Sequence, residues 1–437
     1  MADGKPIVVE MDSFAGGPPV KPKKTAKDYF VGPRDMTHFS KWPFVLRVHG
    51  SIVPHILIPM LVVAIWVTSV VCACKFHFTN HKFDPIMLTV LGFIVGLALS
   101  FRSTTAYERY MEGRRYWAQL TVTSQNLARV VWVHAREREG EDGKVDLLGK
   151  VTALNLIVAF TVALKHRVRF EPYINYDDLR GRVQFLETYA GAASPGFNVH
   201  ESRVPPLKRF GEFLGVPFAK SNPRAQIKRA TQPLGNLPLE ILVHLQTYFD
   251  ALIEAGQLKV PIYQVQTISA LSTLNEIATG CDRILNTPLP IAYSIAISQI
   301  TWIYILLLPF MLYAKLGWTT IPATILAAYI ILGMALIGTE IENPFGEDVN
   351  DLPLESMCEQ IANDVDVIMS RKRPAFPGFV KRDANAVMWP LSGCGFDEWL
   401  GRSEEEIREA LATKVAVGWR AGHRGGVPDR VPGSGSL

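Results

Sequence analysis

This chain lacks most of what marks an enzyme or a secreted domain. It has five cysteines in 437 residues, and Cys72, Cys74, Cys281, Cys358 and Cys394 show neither zinc-ligand spacing nor a redox C-x-x-C pair. That scatter excludes a disulfide framework and leaves buried free thiols as the expectation. There is no P-loop, no glycine fingerprint after a strand, no H-E-x-x-H and no nucleophile elbow. His55, His134, His166 and His244 each stand alone on a helical face, which points to satisfied structural histidines. Charge of one sign is missing too: 45 Lys and Arg against 41 Asp and Glu leave a net charge of +4. With no basic patch interleaved with aromatics, nucleic acid is not an expected partner. Residues 1–27 are polar and rich in Pro and Gly, without the apolar stretch of a secretory signal.

What the chain does have is long apolar runs. Hydrophobic residues make up 48% of it, and the mean hydropathy is positive. Four runs stand out, at 51–74, 86–101, 290–313 and 318–339. The first, at about 24 residues and ~1.5 Å per residue, is long enough to cross a ~30 Å hydrocarbon core. The second opens with Asp84 and Pro85, a cap followed by proline at the first helical position. Only residues 314–317 separate the third from the fourth, so these form a tight helical hairpin. None of the four contains Asp, Glu, Lys or Arg, which disfavours a coupled transporter or a membrane-integral enzyme. A fifth run, 151–164, is too short to span and reads as a buried helix outside the membrane.

Basic residues set the orientation. Lys21, Lys23, Lys24, Lys27, Arg34, Lys41 and Arg47 precede the first span, and Arg102, Arg109, Arg114, Arg115 and Arg129 follow the second. The opposite linkers carry only Lys75, Lys82 and Lys315, so both termini are expected to be cytosolic. Between the second and third spans, 3.6-residue periodicity predicts cytosolic helices within 102–285, with an irregular stretch at 191–223. The tail from about residue 421 is Gly, Pro and Ser with scattered charge, and disorder is expected there.

The second span carries two stripes. Ile86, Val90, Ile94 and Ala98 recur every four residues, while Gly92, Gly96 and Ser100 form a small-residue stripe more than half a turn away. The small stripe suits close helix packing and the bulky one a lining or lipid-facing surface. After the fourth span comes a dense acidic turn: Glu340, Glu342, Glu347, Asp348, Asp351 and Glu355, bent by Pro344 and Gly346. Hard oxygens on a turning backbone are what Ca²⁺ requires, though an acidic turn can equally be a solvated helix cap.

Residues 101–117, with Tyr107, Glu108, Arg109, Glu112, Arg114 and Arg115, followed far downstream by the turn at 341–355, resemble the bestrophin family of pentameric ion channels, in particular its fungal, plant and bacterial branch. The resemblance extends over roughly 36–370, leaving a flexible cytosolic N-terminus at 1–35 and a C-terminal extension at 371–437. It implies an all-α integral membrane protein with four transmembrane helices per subunit and a cytosolic helical domain, assembled as a homopentamer in the lipid bilayer. It implies passive conduction of chloride and other monovalent anions. A cation-selective channel on the same fold, or a scaffold without conduction, are the alternatives.

By the same resemblance, Ile86, Val90 and Ile94 line a hydrophobic neck, and a second constriction lies near Ile241, Leu242 and Leu245. Animal members have phenylalanines in the neck; this chain has none at the aligned positions, and Phe93 sits one residue out of register. In those members the acidic turn clasps Ca²⁺, which maps carbonyl ligands to Glu340 and Asn343 and carboxylate ligands to Asp348 and Asp351. Val349 and Asn350 interrupt the run of aspartates, so a metal-free structural turn stands beside calcium as a reading.

Overall fold

The computed structural model describes residues 50–76, 85–194, 227, 230, 232–348 and 350–424. The N-terminal segment 1–35, Asp84, almost all of the stretch expected to be irregular and the last residues of the tail lie outside them. Among the described residues every regular element is a helix. They are α1 (Val53–Lys75), α2 (Pro85–Arg129), α3 (Glu141–Val168), α4 (Arg180–Val183), α5 (Tyr189–Ala193), α6 (Leu237–Glu254), α7 (Pro261–Asn286), α8 (Ile291–Leu316), α9 (Thr320–Glu340), α10 (Leu354–Met369), α11 (Phe376–Val380), α12 (Phe396–Leu400) and α13 (Glu404–Arg424).

Four stretches are long and apolar enough to cross a membrane: Val53–Lys75, Ile86–His134, Glu141–Val168 and Ile291–Glu340. The last is two helices, α8 and α9, folded back on each other through a 3₁₀ turn, Gly317–Thr319. Gly317 has φ +56°, a left-handed conformation that costs glycine nothing. The hairpin is tighter than its sequence suggests, because α8 runs to Leu316 before it turns. Glu141–Val168 differs from the others: 67% of its most apolar window is buried inside the subunit. It is a core helix, in keeping with its short apolar run.

The helices sort into two bundles. In the first, α1 packs on α8 and α9, and the N-terminal half of α2 packs on the same pair. Val63, Val67, Val71, Ile305, Ala328 and Leu332 form one small core there, and Val95, Leu99 and Ile297 another. In the second bundle, the C-terminal half of α2 joins α3, α6, α7 and α10 around one large continuous core that includes Trp117, Leu154, Phe160, Phe249 and Ile361. Helix α2 therefore belongs to both bundles. It has no break at residue 101, and its last turn widens into a π-helix, Val130–His134.

Two smaller expectations are corrected. Residues 421–424 continue α13 rather than starting a disordered tail. Cys281 and Cys358 are buried free thiols, with Cys358 pushed up to about 12 by burial, but Cys72, Cys74 and Cys394 are only half-buried.

Candidate functional site

Helix α2 presents one face to its own subunit and leaves the other open. Val95 and Leu99 are buried against α8 and α9, and Gly92 lies on the same side, where a Cβ would stand 3.1 Å from the Tyr304 hydroxyl. The small-residue stripe is thus only partly a packing face: a Cβ at Gly96 would meet nothing within 4 Å, and Ser100 is exposed. The open face carries Ile86, Val90, Phe93 and Leu97, spaced i, i+4, i+7 and i+11 on one side of the helix. Phe93 is 70% exposed, whereas Ile94, at the edge of that face, is 41% exposed. The residue one place out of register in the sequence therefore stands nearer the middle of the open surface.

The residues expected to form a second constriction on α6 do not face outward from the subunit. Ile241, Leu242 and Leu245 are all buried and belong to the large core. They lie on the stripe that packs against α3, so they cannot also face a passage. Leu239 and Val243 are the large apolar residues that α6 leaves exposed.

The acidic turn is held by its own hydrogen bonds. The buried Asp351 carboxylate accepts from the Asp348 amide at 2.8 Å, the Asp351 amide donates to the Asp348 carbonyl at 3.0 Å, and the Leu352 amide to the Pro344 carbonyl at 2.9 Å. Gly346 makes room for this fold, since a Cβ there would lie 2.4 Å from Asp351 Oδ2. Asn343 Oδ1 accepts from the Phe345 amide at 3.5 Å, and Asn350 Nδ2 donates to the Gly50 carbonyl at 3.2 Å and to Glu340 Oε1 at 3.4 Å. Glu340, Asn343, Asp348 and Asp351 thus share one turn. Among the described residues, however, no three His, Cys, Asp or Glu side chains converge as a cation site.

Sequence reading missed the cations around this turn. Arg109 of α2 donates through Nε to the Glu342 carbonyl at 3.1 Å, and through its two other nitrogens to the carbonyls of Ile284 (2.6 Å) and Thr287. Arg169, just past α3, donates to the carbonyls of Phe345 and Gly346, each at 3.3 Å, and is paired with Glu355. Burial works to lower the Arg169 pKa, but the hydrogen bond and charge of Glu355 outweigh it and hold the group above its ordinary value. The signal was there in part, since Arg109 lies in the motif at 101–117, but the Glu342 it holds is 233 residues away.

The end of α3 is a second polar cluster. His166, buried, meets Glu171 Oε2 through Nδ1 at 2.5 Å and Asp178 Oδ1 through Nε2 at 2.9 Å, and stacks on the Tyr176 ring at 4.1 Å. Lys165 pairs with the other Asp178 oxygen at 2.5 Å, and Arg167 with Asp282 at 2.7 Å. Burial disfavours the charged imidazole, yet the two carboxylates raise its pKa overall. A cavity of about 280 Å³ beside it is lined by His166, Arg167, Glu171 and Asp282, whose charges pair with one another or with Asp178. His166 is thus the satisfied structural histidine expected, and His134 likewise stacks on Tyr263.

Residues 33–367 match the family described as Bacterial/Fungal Bestrophin protein. The chain is 31% identical over 328 residues to a voltage-dependent anion channel-forming protein of Synechocystis, which covers 74% of this chain and 90% of that one. It is 23% identical to the voltage-dependent anion channel-forming protein YneE of Escherichia coli K12, over 80% of this chain and 97% of the relative. Its fold is similar to a crystal structure of a bacterial bestrophin homologue from Klebsiella pneumoniae, with a TM-score of 0.53 and 21% identity, covering 72% of this chain and 99% of the other.

Proposed function

This chain belongs to the bacterial and fungal bestrophin family, and on that premise we propose that it is a passive anion channel, assembled from five copies around a pore lined by α2. The observation that carries the reading is the open apolar face of α2, the helix that runs through both bundles. A single subunit encloses no passage, and a spanning helix with one face uncovered is completed by other copies about a shared axis. The relatives named as voltage-dependent anion channel-forming proteins favour anions over cations as the permeant species. Chloride is the monovalent anion we propose first.

In this reading, α1, the N-terminal half of α2, α8 and α9 lie in the membrane, and the second bundle lies in the cytosol with both termini. The neck is formed by Ile86, Val90 and Ile94, with Phe93 reaching the same passage from the middle of the exposed face. Rings of aliphatic side chains give an ion no hydrogen-bond partner, so the passage gates by expelling water. The edge of a Phe93 ring is electropositive and suits an anion better than a cation. The acidic turn acts as a structural joint, and conduction does not depend on calcium.

Reconstitution into planar bilayers under a potassium chloride gradient tests this. The expected reversal potential lies on the chloride side and moves when a large organic anion replaces chloride, but not when the cation is exchanged. A reversal potential that follows the cation would give the selectivity to the alternative reading. A stable monomer in detergent, by mass measurement, would remove the pore.

A further inference from the structure

Three chain segments meet where the two bundles join: the link from α7 to α8, the turn after α9, and α2 between them. Ile284 sits near the end of α7, where carbonyls lack partners from within the helix. The residue four places on is Pro288, which has no N–H to give it. Arg109 supplies that donor, serves the Thr287 carbonyl as well, and reaches the Glu342 carbonyl of the turn. One turn further along α2, Gly113 lets the turn come close: a Cβ there would stand 3.1 Å from both Pro344 and the Phe345 ring, and Phe345 is fully buried. From the other side, Arg169 grips the Phe345 and Gly346 carbonyls and Glu355, with Glu347 at 3.9 Å. Its side chain is only 8% exposed.

We infer that Arg109 and Arg169 form a two-armed guanidinium clasp on the acidic turn, and that this clasp, in place of a bound cation, fixes α9 and the α7–α8 link against α2. A guanidinium suits the task because its five donors lie in a rigid planar fork that binds several oxygens at once, whereas a lysine ammonium is a point charge on a flexible stem. The acidic residues of the turn supply the complementary field, and Glu355 orients Arg169 directly. Both arginines are positioning residues. They touch no permeant ion, and their effect on conduction runs through the placement of α2, so that part of the inference rests on the channel reading.

The test is hydrogen–deuterium exchange of the full chain in detergent, read on residues 341–355, with current in planar bilayers as the second measurement. Arg169→Gln removes charge and fork; Arg169→Lys keeps the charge, loses the fork, and guards against a variant that fails to fold. Losing a charged hydrogen-bond pair should speed exchange in the turn roughly tenfold in Arg169→Gln and by a smaller factor in Arg169→Lys. Parent exchange should be the same in excess calcium as in strong chelator. In bilayers, the ratio of open to closed time should shift roughly tenfold while single-channel conductance and reversal potential hold. Unchanged exchange in Arg169→Gln, or parent exchange that slows when calcium is added, would overturn the clasp. If the parent carries no current, the channel reading falls, and the exchange result alone upholds or overturns the clasp.

Discussion

Helices α2 and α3 are each apolar enough over part of their length to span a membrane, yet only 17% of the apolar window of the first is buried against 67% for the second. Both carry long aliphatic stretches; what differs is the company they keep. Helix α3 is enclosed by α6, α7 and α10, and its polar groups are paired: Lys150 with Glu137, Lys165 with Asp178, Arg167 with Asp282. Helix α2 has neighbours on one side only along its apolar half. An apolar helix with one open face asks for lipid or another copy of itself, whereas an enclosed one supplies the scaffold against which the open face is held.

The sharpest way to test that contrast is to trim matched residues in each helix. Phe160→Ala, in the core around α3, should cost about 3–5 kcal/mol, read as a large drop in melting temperature or loss of the folded protein. Phe93→Ala on α2 should leave the melting temperature of the subunit nearly unchanged and raise the current. Equal thermal losses at the two sites would mean that α2 is as enclosed as α3. Next comes the neck: replacing Ile86, Val90 and Ile94 with Ala should widen and wet the passage, raising current and blunting gating. A triple variant that conducts and gates like the parent would move the neck elsewhere.

A smaller effect is expected at the seam between α2 and α7, where a Cβ on Gly280 would overlap the Tyr116 ring. Gly280→Ala should cost about 1–3 kcal/mol in denaturant unfolding, because the ring must shift in a packed interface. A neutral result would mean that the seam is looser than its geometry.

His166 adds a pH dependence to the enclosed bundle. Its folded pKa is raised, so the stabilisation it gives is fully present below the unfolded value near 6.5 and is lost as pH rises through the folded value. Asp178 works in the same direction of pairing: its pKa is depressed, although burial opposes this, so its contribution is present above the unfolded carboxylate range and fades toward acid. Melting temperature should fall between neutral and alkaline pH in the parent, and that slope should flatten in His166→Gln. The smallest effect belongs to the exposed pair Glu404 and Arg408 on α13, where Arg408→Ala should cost no more than about 1 kcal/mol.

Periodicity and hydropathy are local, which is why the sequence alone finds the helices that carry the four apolar runs, identifies 151–164 as a buried helix and shows no Asp, Glu, Lys or Arg within those runs, although it gives no sign that the second helix continues unbroken to Arg129. The motifs at 101–117 and 341–355, also contiguous, are enough to suggest the family to which the chain belongs. Which side of each helix is covered is a different kind of fact, because it depends on partners far along the chain. Ile241, Leu242 and Leu245 look as suitable for a constriction as any apolar residues, until α3 covers them. Phe93 and Ile94 are adjacent in sequence, and only the position of α8 and α9 decides which of them stands nearer the middle of the open face. Arg109 reaches Glu342 across 233 residues and Arg169 reaches Gly346 across 177, so no spacing rule could pair them. The acidic turn draws attention in sequence because its carboxylates suit calcium; the tertiary structure brings arginines to its carbonyls, since a fold places donors wherever helix ends leave oxygens without a partner.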